Sequence, residues 1–204
     1  MNRLLATAGD KVQERTITIM TYSAGPGKIV MEGTLMDRRF TENYLLTGEK
    51  RPVGVFHHMV LRILVNETSR LIEDVDVELI AVPRDECIQI KDSLDSLKGE
   101  HITKGFMRRM QSLIGGEKSC AHLRTLLVSM SSTVVQGIYS IQSQKPFDFR
   151  MLIDKPETER ALLGTVLDTC YVWREGGPEL QSVLRMIDSE RGKGSALRKK
   201  KVDQ

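Results

Sequence analysis

Polar and apolar residues alternate along four segments in the first half of the chain. The segments are residues 15–22, 28–38, 57–65 and 71–82. Strict alternation with many β-branched residues is typical of half-buried strands. Turn sequences at 24–27 and 66–69 join these segments in pairs, so the pattern predicts two antiparallel hairpins. The polar segment 40–53, between the hairpins, predicts a loop.

After residue 83 the apolar spacing changes from every second residue to every third or fourth, which predicts helices. Residues 85–97, 104–114 and 120–140 show this spacing, and Thr103 and Ser119 are suitable N-caps for the last two. The apolar stripe of that long helix consists of Leu123, Leu126, Leu127, Met130, Val134 and Ile138. We therefore predict an α+β fold, in which an antiparallel sheet of about four strands is covered by about three helices.

Length and composition favour one compact domain with an addition. The chain has 204 residues, of which 40% are hydrophobic and 28% charged. We divide it into an α+β core domain at 1–150, a C-terminal extension packed on the core at 151–190, and a basic flexible tail at 191–204. Residues 191–201 carry six Lys and Arg and no acid, so without them the net charge of +3 becomes −3. This distribution argues against a general nucleic-acid surface, and no specific nucleic-acid partner is expected.

The expected location is the cytoplasm. No apolar run approaches the roughly 18 residues that span a bilayer, and the first residues lack the sustained apolar region of a secretory signal. Three widely separated cysteines make a poor disulfide framework. No membrane partner is expected, and a homodimer is the common default assembly.

Histidines and cysteines form a candidate metal site. His57 and His58 begin a strand, where alternation turns them to opposite faces. Cys87 lies in the first turn of one predicted helix, and Cys120 and His122 lie in the first turn of the long one, where the helix dipole favours thiolate. Thiolate and neutral imidazole are ligands that Zn²⁺ and Fe²⁺ accept. The alternative is structural, because isolated cysteines are usually small buried hydrophobic residues.

A second set of residues is a candidate for acid–base chemistry and substrate binding. His57 and Asp37 are candidate acid–base groups, and Arg38 is a candidate partner for a substrate carboxylate. Tyr22 and Trp173 are candidate aromatic walls for a bound small molecule or cofactor. The alternative is that the charged pair is a solvated strand end and that the aromatic residues simply pack.

An ordered set of short motifs extends over most of the chain. It comprises Arg15…Tyr22, Glu32-Gly33-x-Leu35-x-Asp37-Arg38, His57-x-Met59, Pro83-x-x-x-Cys87, Gly105-Phe106, Gly115-Gly116-x-x-x-Cys120-x-His122-Leu123 and Cys170-x-x-Trp173-Arg174. This set resembles the bacterial family catalogued as domain of unknown function 2889. The family usually has His-Asp-Met where this chain has His57-His58-Met59, so a role of that Asp in relatives would not carry over to His58.

A more distant similarity covers residues 61–102, which resemble the core of NifU/IscU-type iron–sulfur scaffold proteins. The resemblance implies a NifU/IscU-like core with a C-terminal extension. It also implies that His57 or His58, Cys87, and Cys120 or His122 meet at one end of the sheet. At most two cysteines replace the three of the scaffolds, which suits a mononuclear Zn or Fe ion better than a cluster.

Three functions remain open from the sequence. The leading hypothesis is a catabolic enzyme of lyase or hydrolase type, with a mononuclear Zn or Fe ion, that acts on a small organic substrate such as an aromatic compound. The second is a non-catalytic metal or iron–sulfur carrier. The third is a metal-free enzyme on the same fold, with His57, Asp37 or His122 as its acid–base groups. A deep pocket would favour the enzymes, and a shallow site at the end of the sheet would favour the carrier.

Overall fold

The computed structural model describes residues 3–144, 163–164 and 166–202. Its strands are β1 (Gln13–Ser23), β2 (Lys28–Arg39), β3 (Asn43–Tyr44), β4 (Lys50–Arg51), β5 (Gly54–Asn66) and β6 (Ile72–Ala81). Four of them form one antiparallel sheet in the order β1-β2-β5-β6. Both predicted hairpins, and the predicted α+β class with a four-stranded antiparallel sheet, are confirmed.

A small second sheet lies in the segment that was predicted to be a loop. β3 and β4 pair antiparallel, with Asn43 opposite Arg51 and Tyr44 opposite Lys50. The loop prediction for residues 40–53 was therefore wrong in part. Each strand contributes only two residues, which is too short for an alternating pattern to be recognised.

One face of the four-stranded sheet forms the core. Alternate residues of β2 and β5 are at most 1% exposed, namely Ile29, Met31, Leu35, Met59, Leu61 and Ile63. Helix α2 (Ala121–Gln142) covers this face, and its predicted apolar stripe is buried as expected. Gly33 permits the close approach, because a Cβ there would lie 2.6 Å from Sδ of Met130.

Two further segments complete the cover of the sheet. Asp85–Leu97, predicted as a helix, is a run of 3₁₀ turns that buries Leu94 and Leu97. Helix α1 (Phe106–Ile114) begins two residues later than predicted. The reason is Gly105, whose φ of 86° lies in the left-handed region and stops a right-handed helix from starting earlier.

The chain divides into two compact units, Met1–Gln142 and Ser143–Gln204. In the second unit, helix α3 (Pro178–Val202) includes most of the residues that the sequence had assigned to a flexible tail. The predicted extension at 151–190 includes residues 151–162, which lie outside the described residues. Within the described part of the chain, no helix has both the length and the apolar character needed to cross a membrane.

Candidate functional site

Three polar residues lie side by side on neighbouring strands at one end of the sheet. The strand register places Arg15 of β1 opposite Asp37 of β2, and Asp37 opposite His57 of β5. Alternation along β2 puts Asp37 on the same face as the core residue Leu35. Asp37 is therefore a carboxylate on the core side of the sheet, and it is only 3% exposed.

Arg15 neutralises this buried carboxylate. Its Nε donates to Oδ1 of Asp37 at 2.7 Å and its Nη2 donates to Oδ2 at 2.8 Å. Burial by itself would raise the pKa of Asp37, but the hydrogen bonds and charge of Arg15, with the charges of His57 and His122, hold the pKa below its ordinary value. Asp37 is consequently ionised at neutral pH.

Two imidazole rings converge on the same carboxylate oxygen. Nδ1 of His57 lies 3.1 Å from Oδ2 of Asp37, and Nε2 of His122 lies 3.5 Å from it. The two rings stack, with centroids 3.8 Å apart and planes inclined by 30°. Burial, together with the charges of Arg15 and Arg39, lowers the pKa of His57 by more than Asp37 raises it, so His57 is mainly neutral at pH 7.

Cys120 extends this arrangement from the start of α2. Its Sγ lies 3.3 Å from Nδ1 of His122, and the backbone N–H of His122 donates to the sulfur, also at 3.3 Å. Burial raises the pKa of the thiol, but hydrogen bonds from the His122 ring and from the N–H groups of His122 and Leu123 outweigh it and lower the pKa to about 7. Thiol, imidazole and carboxylate thus follow one another from Cys120 through His122 to Asp37.

A pocket of about 290 Å³ opens beside these groups. His57, Cys120 and His122 line one part of it, and the remaining lining is Met59, Leu79, Val82, Cys87, Ile90 and Ala121. The reactive groups therefore border a mainly apolar recess. A recess of this kind, with a few convergent polar groups, is typical of a small-molecule site.

Asp37, His57 and His122 also satisfy the geometry of a metal site. One ligand atom from each lies within 4.8 Å of the other two. Two imidazoles and one carboxylate form a donor set that suits Fe²⁺ or Zn²⁺. Because both carboxylate oxygens already accept hydrogen bonds from Arg15, a cation here would share Asp37 with a guanidinium group.

The structure brings together part of the predicted metal set. His57 and His122 meet at Asp37, and Cys120 contacts His122. Cys87 lines the same pocket. His58, as alternation requires, points to the other face of the sheet, so it does not belong to this cluster.

Two further predicted site residues lie outside this cluster, and a third belongs to the second unit. Arg38 follows a β-bulge after Asp37 and is exposed on β2, outside the pocket lining. Tyr22 lies near the opposite end of β1 from Arg15. Trp173 belongs to the second unit, where its backbone N–H donates to the backbone carbonyl of Cys170. The sequence therefore identified Asp37 and His57 as candidates, and the strand register makes them neighbours, whereas Arg38 and Tyr22 are not grouped with them.

Arg15 is a site residue that the sequence interpretation did not single out. Arg15, Ile17 and Ile19 occupy alternate positions of β1, and the side chains of Ile17 and Ile19 pack against the core. A charged residue in phase with core positions of a strand requires a buried partner. The same signal was present at Asp37, and the two together could have predicted the ion pair.

Fold and site together define an α+β protein with a thiol–imidazole–carboxylate centre at one end of its sheet. The family model described as "Protein of unknown function (DUF2889)" matches residues 13–136, and the chain belongs to this family. The matched range includes the whole centre: Arg15, Asp37, His57, Cys120 and His122. No curated protein and no solved structure matched the chain. The similarity to NifU/IscU-type scaffolds stays a prediction.

Proposed function

We propose that this protein is a small-molecule hydrolase in which Cys120 is the nucleophile, His122 its base and Asp37 the group that orients His122. The observation that carries the proposal is the continuous contact from Sγ of Cys120 through both ring nitrogens of His122 to Oδ2 of Asp37, at the edge of a pocket. A nucleophile, a base and an orienting carboxylate in this order are the parts that covalent acyl transfer needs.

The acylation half of the reaction uses the Cys120–His122 pair. Sγ attacks the carbonyl carbon of an ester, and an S–C bond forms while the carbonyl π electrons move to the oxygen. The intermediate collapses when the C–O bond to the alcohol breaks. The departing alcohol oxygen takes the proton that Nδ1 of His122 had received from the thiol.

Deacylation reverses these roles with water. Water attacks the thioester carbon and gives a proton to His122, the C–S bond breaks, and the proton returns to the sulfur as the carboxylic acid leaves. Asp37 remains ionised throughout, since Arg15 donates to both of its oxygens. Its contribution is to hold the ring of His122 in one orientation.

A metal-dependent hydrolase or lyase is the second candidate, and the convergence of Asp37, His57 and His122 favours it. A Zn or Fe ion bound there would polarise a substrate carbonyl or activate water. Either enzyme would act on a small organic molecule, such as an aromatic compound, as the sequence predicted. The carrier hypothesis has less support, because the pocket lining offers only the thiols of Cys87 and Cys120, and clusters usually need more thiolates.

The deciding experiment combines metal analysis with covalent trapping. Protein purified with and without chelator is incubated with p-nitrophenyl acetate and examined by intact-mass and peptide mass spectrometry. We expect an acetyl adduct on Cys120 in the metal-free protein, which Cys120→Ala abolishes. Cys170→Ser is the matched control, because it removes an exposed thiol outside the centre.

The outcomes separate the candidates. Ester hydrolysis that needs added Zn²⁺ or Fe²⁺, survives Cys120→Ala and disappears in His57→Ala would replace the thiol mechanism with the metal one. An adduct that forms equally in Cys120→Ala would overturn the role of this cysteine.

A further inference from the structure

We infer that the pocket beside Cys120 binds an uncharged, apolar acyl group, so that the substrates are esters or thioesters of medium-chain or aromatic carboxylic acids. The reaction named here rests on the proposed thiol chemistry. The specificity rests on the lining of the pocket, which is independent of that chemistry.

Most of the pocket lining consists of hydrocarbon and thioether groups. Met59 comes from β5, Leu79 from β6, Val82 from the residues just after β6, and Ile90 from the 3₁₀ segment. Within the described part of the chain, no Lys, Arg, Asp or Glu is among the lining residues. A carboxylate or phosphate in the apolar part of this recess would lose its hydration without gaining a partner, whereas an alkyl or aryl group would lose only unfavourable contact with water.

The size of the pocket limits the length of the acyl group. A dry cavity of about 150 Å³ holds one benzene molecule. The pocket is about 290 Å³, and part of it must hold the reacting carbonyl. The remaining space suits an acyl group of roughly six to ten carbon atoms, by comparison with benzene.

The reactive groups and the apolar wall belong to the same recess. Cys120 and His122 line it together with Leu79 and Ile90. An acyl chain that fills the apolar part of the pocket therefore leaves its carbonyl carbon beside Sγ. The bound acyl chain thus positions the bond from that carbon to the leaving group, which is the bond to be broken. Binding energy from the chain is in this way used to orient the carbonyl.

The test is a chain-length series of p-nitrophenyl esters from acetate to dodecanoate. For the wild-type protein we expect kcat/KM to rise roughly threefold to fourfold with each methylene until the pocket is full, from the transfer free energy of a methylene group. It should fall beyond about ten carbon atoms. A flat profile would overturn the inference.

Two adjacent residues of β6 provide a matched pair of variants. Leu79 lines the pocket, whereas Ile80 is 51% exposed and is not among the lining residues. Leu79→Phe should move the optimum to shorter chains and Leu79→Ala to longer ones, while Ile80→Phe should leave the profile unchanged. If Leu79→Phe does not fold, Leu79→Ala still tests the assignment. Equal profiles for all three variants and the wild type would show that the acyl chain binds elsewhere.

Binding without chemistry distinguishes failure of the specificity from failure of the function. Primary alkyl amides from acetamide to decanamide are titrated into Cys120→Ala protein, and the shift in melting temperature is recorded. Shifts that grow with chain length and are changed by Leu79→Phe support the pocket, even if no ester is hydrolysed and the thiol mechanism fails. If Cys120 hydrolyses esters but neither assay depends on chain length, the proposed function is supported and this inference is overturned.

Discussion

Arg15 holds both carboxylate oxygens of Asp37, and the oxygen that accepts from Nη2 of Arg15 is the one that faces both His57 and His122. A single ion pair between β1 and β2 therefore fixes the acceptor on which two imidazoles converge. The pair is buried on the Asp37 side, while the Arg15 side chain remains 35% exposed. Loss of either partner should disturb both stability and the orientation of the rings.

The first prediction concerns the stability of Asp37→Asn. Removing one partner of a largely buried pair leaves Arg15 without its carboxylate acceptor. We expect the free energy of unfolding at pH 7 to fall by about 2 kcal/mol. This loss is smaller than for a fully buried pair because Arg15 is partly exposed. Urea denaturation measures this loss. The double variant with Arg15→Met should cost less than the sum of the two single changes, because the residues act as a pair.

The pH dependence of this loss follows from the lowered pKa of Asp37. A carboxyl whose pKa is lower in the folded than in the unfolded protein contributes stability above the unfolded value, about 3.9. That contribution disappears as the pH falls through the pKa of Asp37 in the folded protein. The difference between wild type and Asp37→Asn should therefore shrink below about pH 4. A difference that stays the same at all pH values would contradict the ion-pair explanation.

The second prediction concerns the reactivity of Cys120. The thiolate is the reactive form, so alkylation accelerates as the pH rises through the pKa of the thiol. Burial raises this pKa, but the hydrogen bonds at the start of α2 outweigh burial and lower the pKa to about 7. Alkylation by iodoacetamide, followed by peptide mass spectrometry, should have its midpoint near that pH. His122→Gln removes the ring that lies 3.3 Å from the sulfur, and the midpoint should move to higher pH.

Cys170 is the internal reference in the same samples, because it is exposed and lies in the second unit. Its alkylation profile should not respond to His122→Gln. If the Cys120 profile is equally insensitive, the contact with His122 does not control the thiol and the proposed nucleophile loses its base.

The third prediction compares two consecutive histidines in metal binding. His57 contributes a ring nitrogen to the cluster with Asp37 and His122, whereas His58 lies on the opposite face of β5. His57→Ala should weaken Zn²⁺ binding at least tenfold, since mutation even of residues that only hydrogen-bond to a metal ligand lowers metal affinity by that much. Competition with a chromophoric chelator measures the affinity. His58→Ala should leave it unchanged, and an equal loss in both variants would place the ion elsewhere.

The four long strands could be predicted because each has one buried face, which imposes alternation on the sequence. The meeting of Asp37 and His57 could not, because it depends on the register between β2 and β5. That register is set across the connecting residues 40–53, which the sequence interpretation treated as an unstructured loop. Local pattern thus identified both residues without showing that they are neighbours.

The contact between Cys120 and His122 illustrates the same limit at the helix. Their spacing in the first turn was visible in the sequence, but two residues so close on a helix need not point the same way. Cys120 precedes the first residue of α2, and its sulfur accepts from the backbone N–H of His122 and lies beside the His122 ring. Boundary positions of this kind are the least predictable part of a helix, and here one of them is the proposed nucleophile.

The last prediction tests how α2 is held against the sheet. A Cβ at Gly137 would lie 2.6 Å from Oγ1 of Thr21 on β1, so the helix and the strand touch at this point. Alanine favours a helix over glycine by about 1 kcal/mol, but overpacking at such a contact costs about 1 to 3 kcal/mol. We expect Gly137→Ala to lower the free energy of unfolding, as measured with urea, while the exposed neighbour Gln136→Ala changes it little. Gly137 is about four turns from His122 along α2, so alkylation of Cys120 should be unaffected. A stabilised Gly137→Ala protein would mean that helix propensity dominates and that the close packing of α2 on β1 is not required.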